Sequence, residues 1–210
     1  EKFGRRSKGH IKGVESVRNI VRSAGEQGIA ILTLWGFSSD NWKRPDNEIN
    51  VLMGIFKRYI VREADELDAA SVKVTFLGRR TELQKQLQHV MRNLEEQTRS
   101  NTGLHLQVAL NYGGEAEIVD ACNKLRSLDR SITGDDLRSA LSSSEVGMPD
   151  LIIRTGGEMR TSGFFPLAVH AEWEFIETLW PDFTAEEFQK ILTEFEGRER
   201  RFGGLLSATE

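Results

Sequence analysis

Short apolar runs alternate with longer amphipathic segments along the whole chain, and this alternation restricts the fold more than any other feature of the sequence. The run 29–37, "IAILTLWGF", is apolar on both faces, as a central strand of a parallel sheet must be. Before it, 13–28 sets Val14, Val17, Ile20, Val21 and Ala24 on one helical stripe and stops at glycine. The same reading predicts a helix over 47–70, with Ile49, Leu52, Met53, Phe56, Ile60 and Leu67 inward, and a strand over 72–77. A helix over 81–100, capped by Thr81, precedes a strand over 104–110. "NYGGEAEIVDACNKL" turns through glycines into another helix, and a shorter one covers 134–143. A strand over 150–154, a strand-like "EWEFIETLWPDF" and a last helix from Thr184 to Phe195 complete the series. Strand followed by helix, repeated, implies βαβ units with right-handed crossovers. The expectation is an α/β fold: a single domain over 1–210 with a mostly parallel central sheet flanked by helices, and no repeat or linker.

The bulk properties narrow the class. A length of 210 residues, 39% hydrophobic and 29% charged, suits one soluble domain. The single cysteine, Cys122, excludes an intrachain disulfide framework and points to a reducing, cytoplasmic setting. No apolar run approaches the roughly 18 residues of a membrane span, and no signal-peptide pattern opens the chain. The first residue is Glu1, so the expectation is a chain that begins inside a longer product. A net charge of −4 argues against a general nucleic-acid binder. The charge is uneven, with seven Lys/Arg against two Glu in residues 1–22 and three Arg against one Glu in 197–204. Two basic clusters on an acidic body suit a small anionic ligand, although solvated terminal faces give the same pattern.

In parallel α/β sheets, ligands bind beyond the carboxyl ends of the strands. The peculiar segments fall there: "SSDNWKRP" after one strand, "NYGG" after another and "RTGGEMRTSG" after a third. The last places Arg154, Arg160 and Ser162 around a glycine turn, where two guanidiniums, a hydroxyl and turn amides can trap a phosphate or diphosphate. Glu158 between them would orient the arginines, and an ordinary loop with surface ion pairs is the alternative. "GRRSKGHIKG" (4–13) is a basic run leading into a helix, whose free amides would attract an anion beside Arg5, Arg6 and His10. The sequence holds no Walker spacing, no GxGxxG, no His/Cys metal cluster and no nucleophile elbow. Binding of anionic phosphates beside apolar surface is what remains, with a divalent ion and a carboxylate as one means.

Taken in order, these segments resemble the cis-prenyltransferases, the undecaprenyl diphosphate synthase family. The carriers are "GHxxG" (Gly9, His10, Gly13), "FSSDNWKRP" (37–45), "LNYGG" (110–114), "PDLIIRTGGEMR" (149–160), "LWPDF" (179–183) and "RERRFGG" (198–204). Any one is weak; six in sequence are specific. The resemblance implies condensation of isopentenyl diphosphate with an allylic diphosphate, Mg²⁺-dependent, on a homodimer that makes cis polyprenyl diphosphates such as undecaprenyl diphosphate, a cell-wall precursor lipid. It implies that Arg154, Arg160 and Ser162 clamp isopentenyl diphosphate and that Glu172 binds Mg²⁺. It puts Asn41 and Ser38 near the reacting groups, with Trp42 and Arg44 in the same loop, and Arg5, Arg6 and His10 around the allylic diphosphate. Arg201 and Gly203 match an RxG element that reaches the partner subunit's site. The family's N-terminal strand and its Asp motif are absent from the sequence, the stretch before Glu172 is one residue shorter than usual, and Gly163 stands where an asparagine is usual. Val51, Leu52, Ile55 and Phe56 are a candidate wall for the apolar chain, and the small Gly36 is compatible with a long product. Transient contact with a membrane surface would serve product release. Two rival readings are a short-chain or irregular synthase of the same fold and a non-catalytic partner subunit.

Overall fold

A computed structural model describes residues 2–199; of the side chains of 2–8, 10 and 11 nothing is described. Eleven helices and strands follow in chain order: α1 (Lys2–Glu26), β1 (Ile31–Ser38), α2 (Asp46–Ala69), β2 (Lys73–Leu77), α3 (Lys85–Thr98), β3 (His105–Tyr112), α4 (Gly114–Leu125), α5 (Gly134–Ala140), β4 (Leu151–Arg154), β5 (Glu172–Phe175) and α6 (Ala185–Glu196). Short 3₁₀ turns at Ser39–Lys43, Arg80–Glu82 and Trp180–Asp182 join them. Every strand pair is parallel, in a three-stranded sheet ordered β1-β3-β2 and a two-stranded sheet β4-β5.

The two sheets divide the same two cores. Leu32 and Leu34 of β1, Leu106 and Leu110 of β3, and Leu151 and Ile153 of β4 pack into the larger cluster. It is completed by Ile20 and Ala24 of α1, Leu52 and Met53 of α2, Leu87 and Met91 of α3, and Phe188 of α6. Trp35, Ala109 and Ile152 belong to the smaller cluster on the opposite face, with Tyr112 and Phe165. Alternate residues of one strand point to opposite faces, so β4–β5 continues the layer formed by the other three strands.

Three expectations are corrected. The basic run 4–13 lies inside α1 rather than ahead of it, because α1 already begins at Lys2. Gly13 therefore offers no free amides of a helix start. Instead its missing Cβ admits Trp180, whose ring would stand 3.2 Å from that atom and whose Nε1 donates to the Gly13 carbonyl at 2.9 Å. Second, α3 begins at Lys85 without a side-chain cap; Thr81 falls in the preceding 3₁₀ turn. Third, the central strand is β3. Among the described residues β1 pairs on one side only, and Ile31 at its start is 41% exposed.

Candidate active site

The carboxyl ends of β1, β3 and β4 bring three loops together, and the glycines after β3 set their spacing. A Cβ on Gly113 would fall 2.2 Å from Ser39 Oγ, and one on Gly114 would fall 2.2 Å from the Gly163 carbonyl oxygen and 2.3 Å from Pro166 Cδ. No other residue permits both approaches. The Gly114 N–H then donates to Gly163 at 3.1 Å, tying the loop after β4 to the end of β3.

The loop after β1 is held by its own polar groups. Asp40 N–H donates to Ser38 Oγ (3.2 Å) and Ser38 N–H donates to Asn41 Oδ1 (3.1 Å), a reciprocal cap on the 3₁₀ turn. Asn41 thus spends its oxygen on the fold and keeps its amide hydrogens for another acceptor. Trp42 meets Phe37 edge-on with centroids 5.2 Å apart, and Trp42 Nε1 donates to Asn111 Oδ1 at 2.7 Å. Asn111 is 1% exposed and sits at φ 53°, a left-handed backbone that asparagine tolerates. Its amide donates to the Arg79 carbonyl (2.9 Å) and to Glu82 Oε2 (2.7 Å), so one side chain joins the loops after β1 and β2. Sequence reasoning gave Asn111 no role; an asparagine placed between a strand and two glycines was the available signal. Arg44 is engaged by Glu48 (3.1 Å) and Lys43 by Asp40 (2.6 Å).

The loop after β4 brings Arg154 and Ser162 together: Arg154 Nη1 donates to Ser162 Oγ at 3.2 Å, with Ser162 at φ 50°. The Arg154 Nε is buried and has no hydrogen-bond partner. Arg160 is exposed and ion-paired to Glu158, which orients Arg160 alone rather than both arginines. The amides of the two turn glycines are spoken for, because Gly156 N–H donates to Thr178 O and Gly157 N–H to Ile176 O, both at 2.9 Å. Those two amides are not available to an anion, whereas the guanidiniums and the hydroxyl are. Beside them Trp35 stacks on Phe164 (4.7 Å), which meets Tyr112 and Phe165 edge-on, and the buried Trp35 Nε1 also has no partner. Tyr112 donates to the buried Glu117 (2.7 Å); burial, then that carboxylate, raises the phenol far above its ordinary range and keeps it neutral.

Glu172 is not brought to this cluster. It opens β5 in register with Leu151, while Arg154 is in register with Phe175, so three residues of strand, roughly 10 Å, separate the two ends. There Arg198 pairs with both Glu172 (3.1 Å) and Glu174 (2.5 Å), and these hydrogen bonds raise the guanidinium's pKa. Among the described residues no group of three or more His, Cys, Asp or Glu is placed to hold a metal ion. Glu172 and Glu174 would have to exchange Arg198 for a cation before either could hold one. Arg5, Arg6 and His10 lie on α1, their side chains outside the description, and Arg201 and Gly203 lie outside the described residues.

A parallel α/β layer with a guanidinium–hydroxyl cluster and an aromatic wall at its carboxyl edge defines a binder of anionic, partly apolar small molecules. The comparisons make the class specific. Residues 1–203 match the Prenyltransf family profile, described as "Putative undecaprenyl diphosphate synthase". An isoprenyl transferase of Rhizobium meliloti is 41% identical over 97% of this chain and 86% of its own length, and one of Aquifex pyrophilus is 42% identical over 94% and 87%. Lavandulyl diphosphate synthase from Lavandula x intermedia, solved with dimethylallyl diphosphate, superposes with a TM-score of 0.91 at 29% identity, covering 94% of this chain and 89% of that one. A "probable undecaprenyl diphosphate synthase" of Campylobacter jejuni gives 0.84 at 29%, covering 91% and 92%. The chain belongs to the undecaprenyl diphosphate synthase family, the cis-prenyltransferases, and is an enzyme that transfers prenyl groups. No described helix is long and apolar enough to cross a membrane.

Proposed function

We propose that the protein elongates an allylic diphosphate, such as farnesyl diphosphate, with isopentenyl diphosphate to a cis-polyprenyl diphosphate of undecaprenyl type. The observation that carries this reading is Arg154: a buried Nε with no partner, on a guanidinium already aligned with Ser162. A buried donor without a partner is costly, and a diphosphate oxygen would satisfy it. Arg154 and Ser162 hold the isopentenyl diphosphate, with Arg160 joining when it exchanges Glu158 for phosphate. Asn41, its oxygen fixed by Ser38, offers amide hydrogens to the departing diphosphate. Donors fixed before the reaction stabilise the negative charge that develops as the allylic C–O bond breaks. Trp42 and the aromatic group around Phe164 shield the reacting carbons from water. Arg5, Arg6 and His10 would hold the allylic diphosphate.

The Mg²⁺ requirement is part of this reading, with Glu172 as the carboxylate the resemblance assigns. In the chain by itself Glu172 is paired to Arg198 and lies apart from Arg154. We further propose a cytoplasmic homodimer in which Arg201 and Gly203 reach the partner's site.

A second reading, a short-chain or irregular synthase, is favoured by one feature. A Cβ at Gly36 would meet Leu110 Cδ2 at 2.9 Å and the Phe56 ring at 3.3 Å, so the space that a glycine leaves is already filled. A long product would have to displace Phe56. Incubation with farnesyl or dimethylallyl diphosphate, labelled isopentenyl diphosphate and Mg²⁺, with and without EDTA, followed by product sizing, decides. A long ladder supports the first reading and a single short product the second. No incorporation with any primer would refute both and leave the non-catalytic subunit. Asn41→Ala should lower turnover far more than stability; an unchanged rate refutes its role.

A further inference from the structure

The outer surface of α2 and α3 carries a groove of about 720 Å³, lined by none of the loop residues described above. Its surface is almost wholly carbon, from Val61, Val90 and the stems of Lys57, Arg58, Arg62 and Lys85. Val61 is 61% exposed on a helix whose opposite face fills the core with Leu52, Met53 and Ile60. No carboxylate lines the groove.

The groove concentrates cations that have no acid. Most described basic side chains elsewhere rest on acids, among them Lys12 on Asp182, Arg18 on Glu63, Arg22 on Glu66, Arg79 on Asp120 and Arg80 on Glu95, while Lys124 donates to the Ala140 carbonyl and Arg154 to Ser162. At the groove Lys57 donates only to the neutral Gln86 (2.9 Å), and Arg58 and Lys85 form no ion pair among the described residues. Arg62 alone has a carboxylate, Glu63, at 2.6 Å. In a chain of net charge −4, cations without acids are thus gathered around exposed apolar surface. Lys and Arg with stems on an apolar floor and heads at its rim match a bilayer interface, where the heads meet lipid phosphates.

We propose that the α2–α3 groove docks the enzyme on an anionic lipid bilayer. The choice of a bilayer rests on the activity proposed above, whose product is an apolar chain ending in a diphosphate. α2 then faces the core with one side and lipid with the other, so the product leaves the enzyme beside the phase that takes it up. An acidic protein segment would match the charge but would not call for so open and apolar a floor.

The test is co-sedimentation of the full chain with vesicles of phosphatidylcholine alone or mixed with phosphatidylglycerol. The wild type should bind the mixed vesicles and lose them as salt is raised. The triple variant K57E/R58E/K85E should bind about 100-fold less well, and Val61→Asp should weaken binding at every salt concentration. Prenyl transfer by the triple variant, assayed in detergent without vesicles, should equal that of the wild type, with an unchanged Tm. Equal wild-type binding to both vesicle types, or undiminished binding by the triple variant, overturns the proposal. Failure on vesicles together with capture by polyglutamate overturns it in favour of an acidic protein partner. A wild type that binds the mixed vesicles but transfers no prenyl group leaves the dock standing and refutes the activity instead.

Discussion

Replacing Gly114 by alanine separates packing from chemistry at the point where the loops meet. The added Cβ would stand 2.2 Å from the Gly163 oxygen and 2.3 and 2.7 Å from Pro166 Cδ and Cγ. An ordinary carbon–oxygen contact is about 3.3 Å or longer, so the 163–166 segment must retreat by about 1 Å. Neither obstacle is a flexible end; one is a backbone carbonyl and the other a proline ring. The retreat also stretches the 3.1 Å Gly114–Gly163 hydrogen bond. Overpacking of this kind costs about 1–3 kcal/mol, which in a domain of this size lowers Tm by about 5 °C. The kinetic effect should be larger. Ser162 adjoins the displaced residue, and a misplacement of about 1 Å costs about 100-fold in rate. Circular dichroism melts and kcat/KM for isopentenyl diphosphate measure the two effects in one preparation. Gly25→Ala, on α1 with nothing within 4 Å of the new atom, is the control and should stabilise by about 0.5–1 kcal/mol. A Gly114→Ala enzyme of lowered Tm but unchanged kcat/KM would refute the link between Gly163 and the Arg154–Ser162 pair.

Gly113→Ala should be milder than Gly114→Ala in both measurements, because its chief obstacle is the hydroxyl of Ser39, which can rotate away. Arg154→Lys should raise KM for isopentenyl diphosphate and cost about 100-fold in kcat/KM with little change in Tm, as one point charge replaces a fork. Asn111→Asp keeps an acceptor for Trp42 but loses both donated hydrogen bonds and sets a carboxylate against Glu82; urea unfolding should show a loss of about 2 kcal/mol or more. His105 has its pKa lowered by burial first and then by Lys73, so the unfolded chain takes up the proton more readily. Its contribution to stability is whole above the unfolded value of about 6.5 and is lost as pH falls below it. Urea midpoints between about pH 7.5 and about pH 5 should fall, and His105→Gln should flatten that slope.

Local pattern was enough for the order of elements, the parallel class and the strand ends that carry the loops. Period-2 and period-3.6 spacing report which side chains need burial, and Leu52, Met53, Val74 and Leu106 are buried as that spacing requires. What the pattern could not supply was pairing. An apolar strand such as β1 reads the same at an edge as in the middle, since partners are a matter of topology. The basic run at 4–13 kept its charges visible while hiding that its backbone is helical, because Lys and Arg are good helix formers with no turn signal of their own. Arg154 and Ser162, eight residues apart, meet as the glycine turn implied; Glu172 stays apart because ten residues of loop carry no register. The bond from Trp42 to Asn111 spans 69 residues and has no local signature at all.

The stretch from Ser162 to Glu172 is pinned at both margins. On one side the Gly156 and Gly157 amides are fastened to Thr178 and Ile176; on the other the Glu172 amide is fastened to the Asp150 carbonyl at 2.8 Å. A residue lost or gained between Pro166 and Glu172 falls beyond the Gly114–Gly163 hydrogen bond and is absorbed before β5, leaving Gly163 and Ser162 in place. Length change there is therefore insulated from the proposed Arg154–Ser162 clamp while remaining free to shift Ala168 and Ala171 against the Tyr112–Phe165 cluster. Within one scaffold, this is a place where evolution can vary the shape offered to the hydrocarbon without retuning the grip on its charged head.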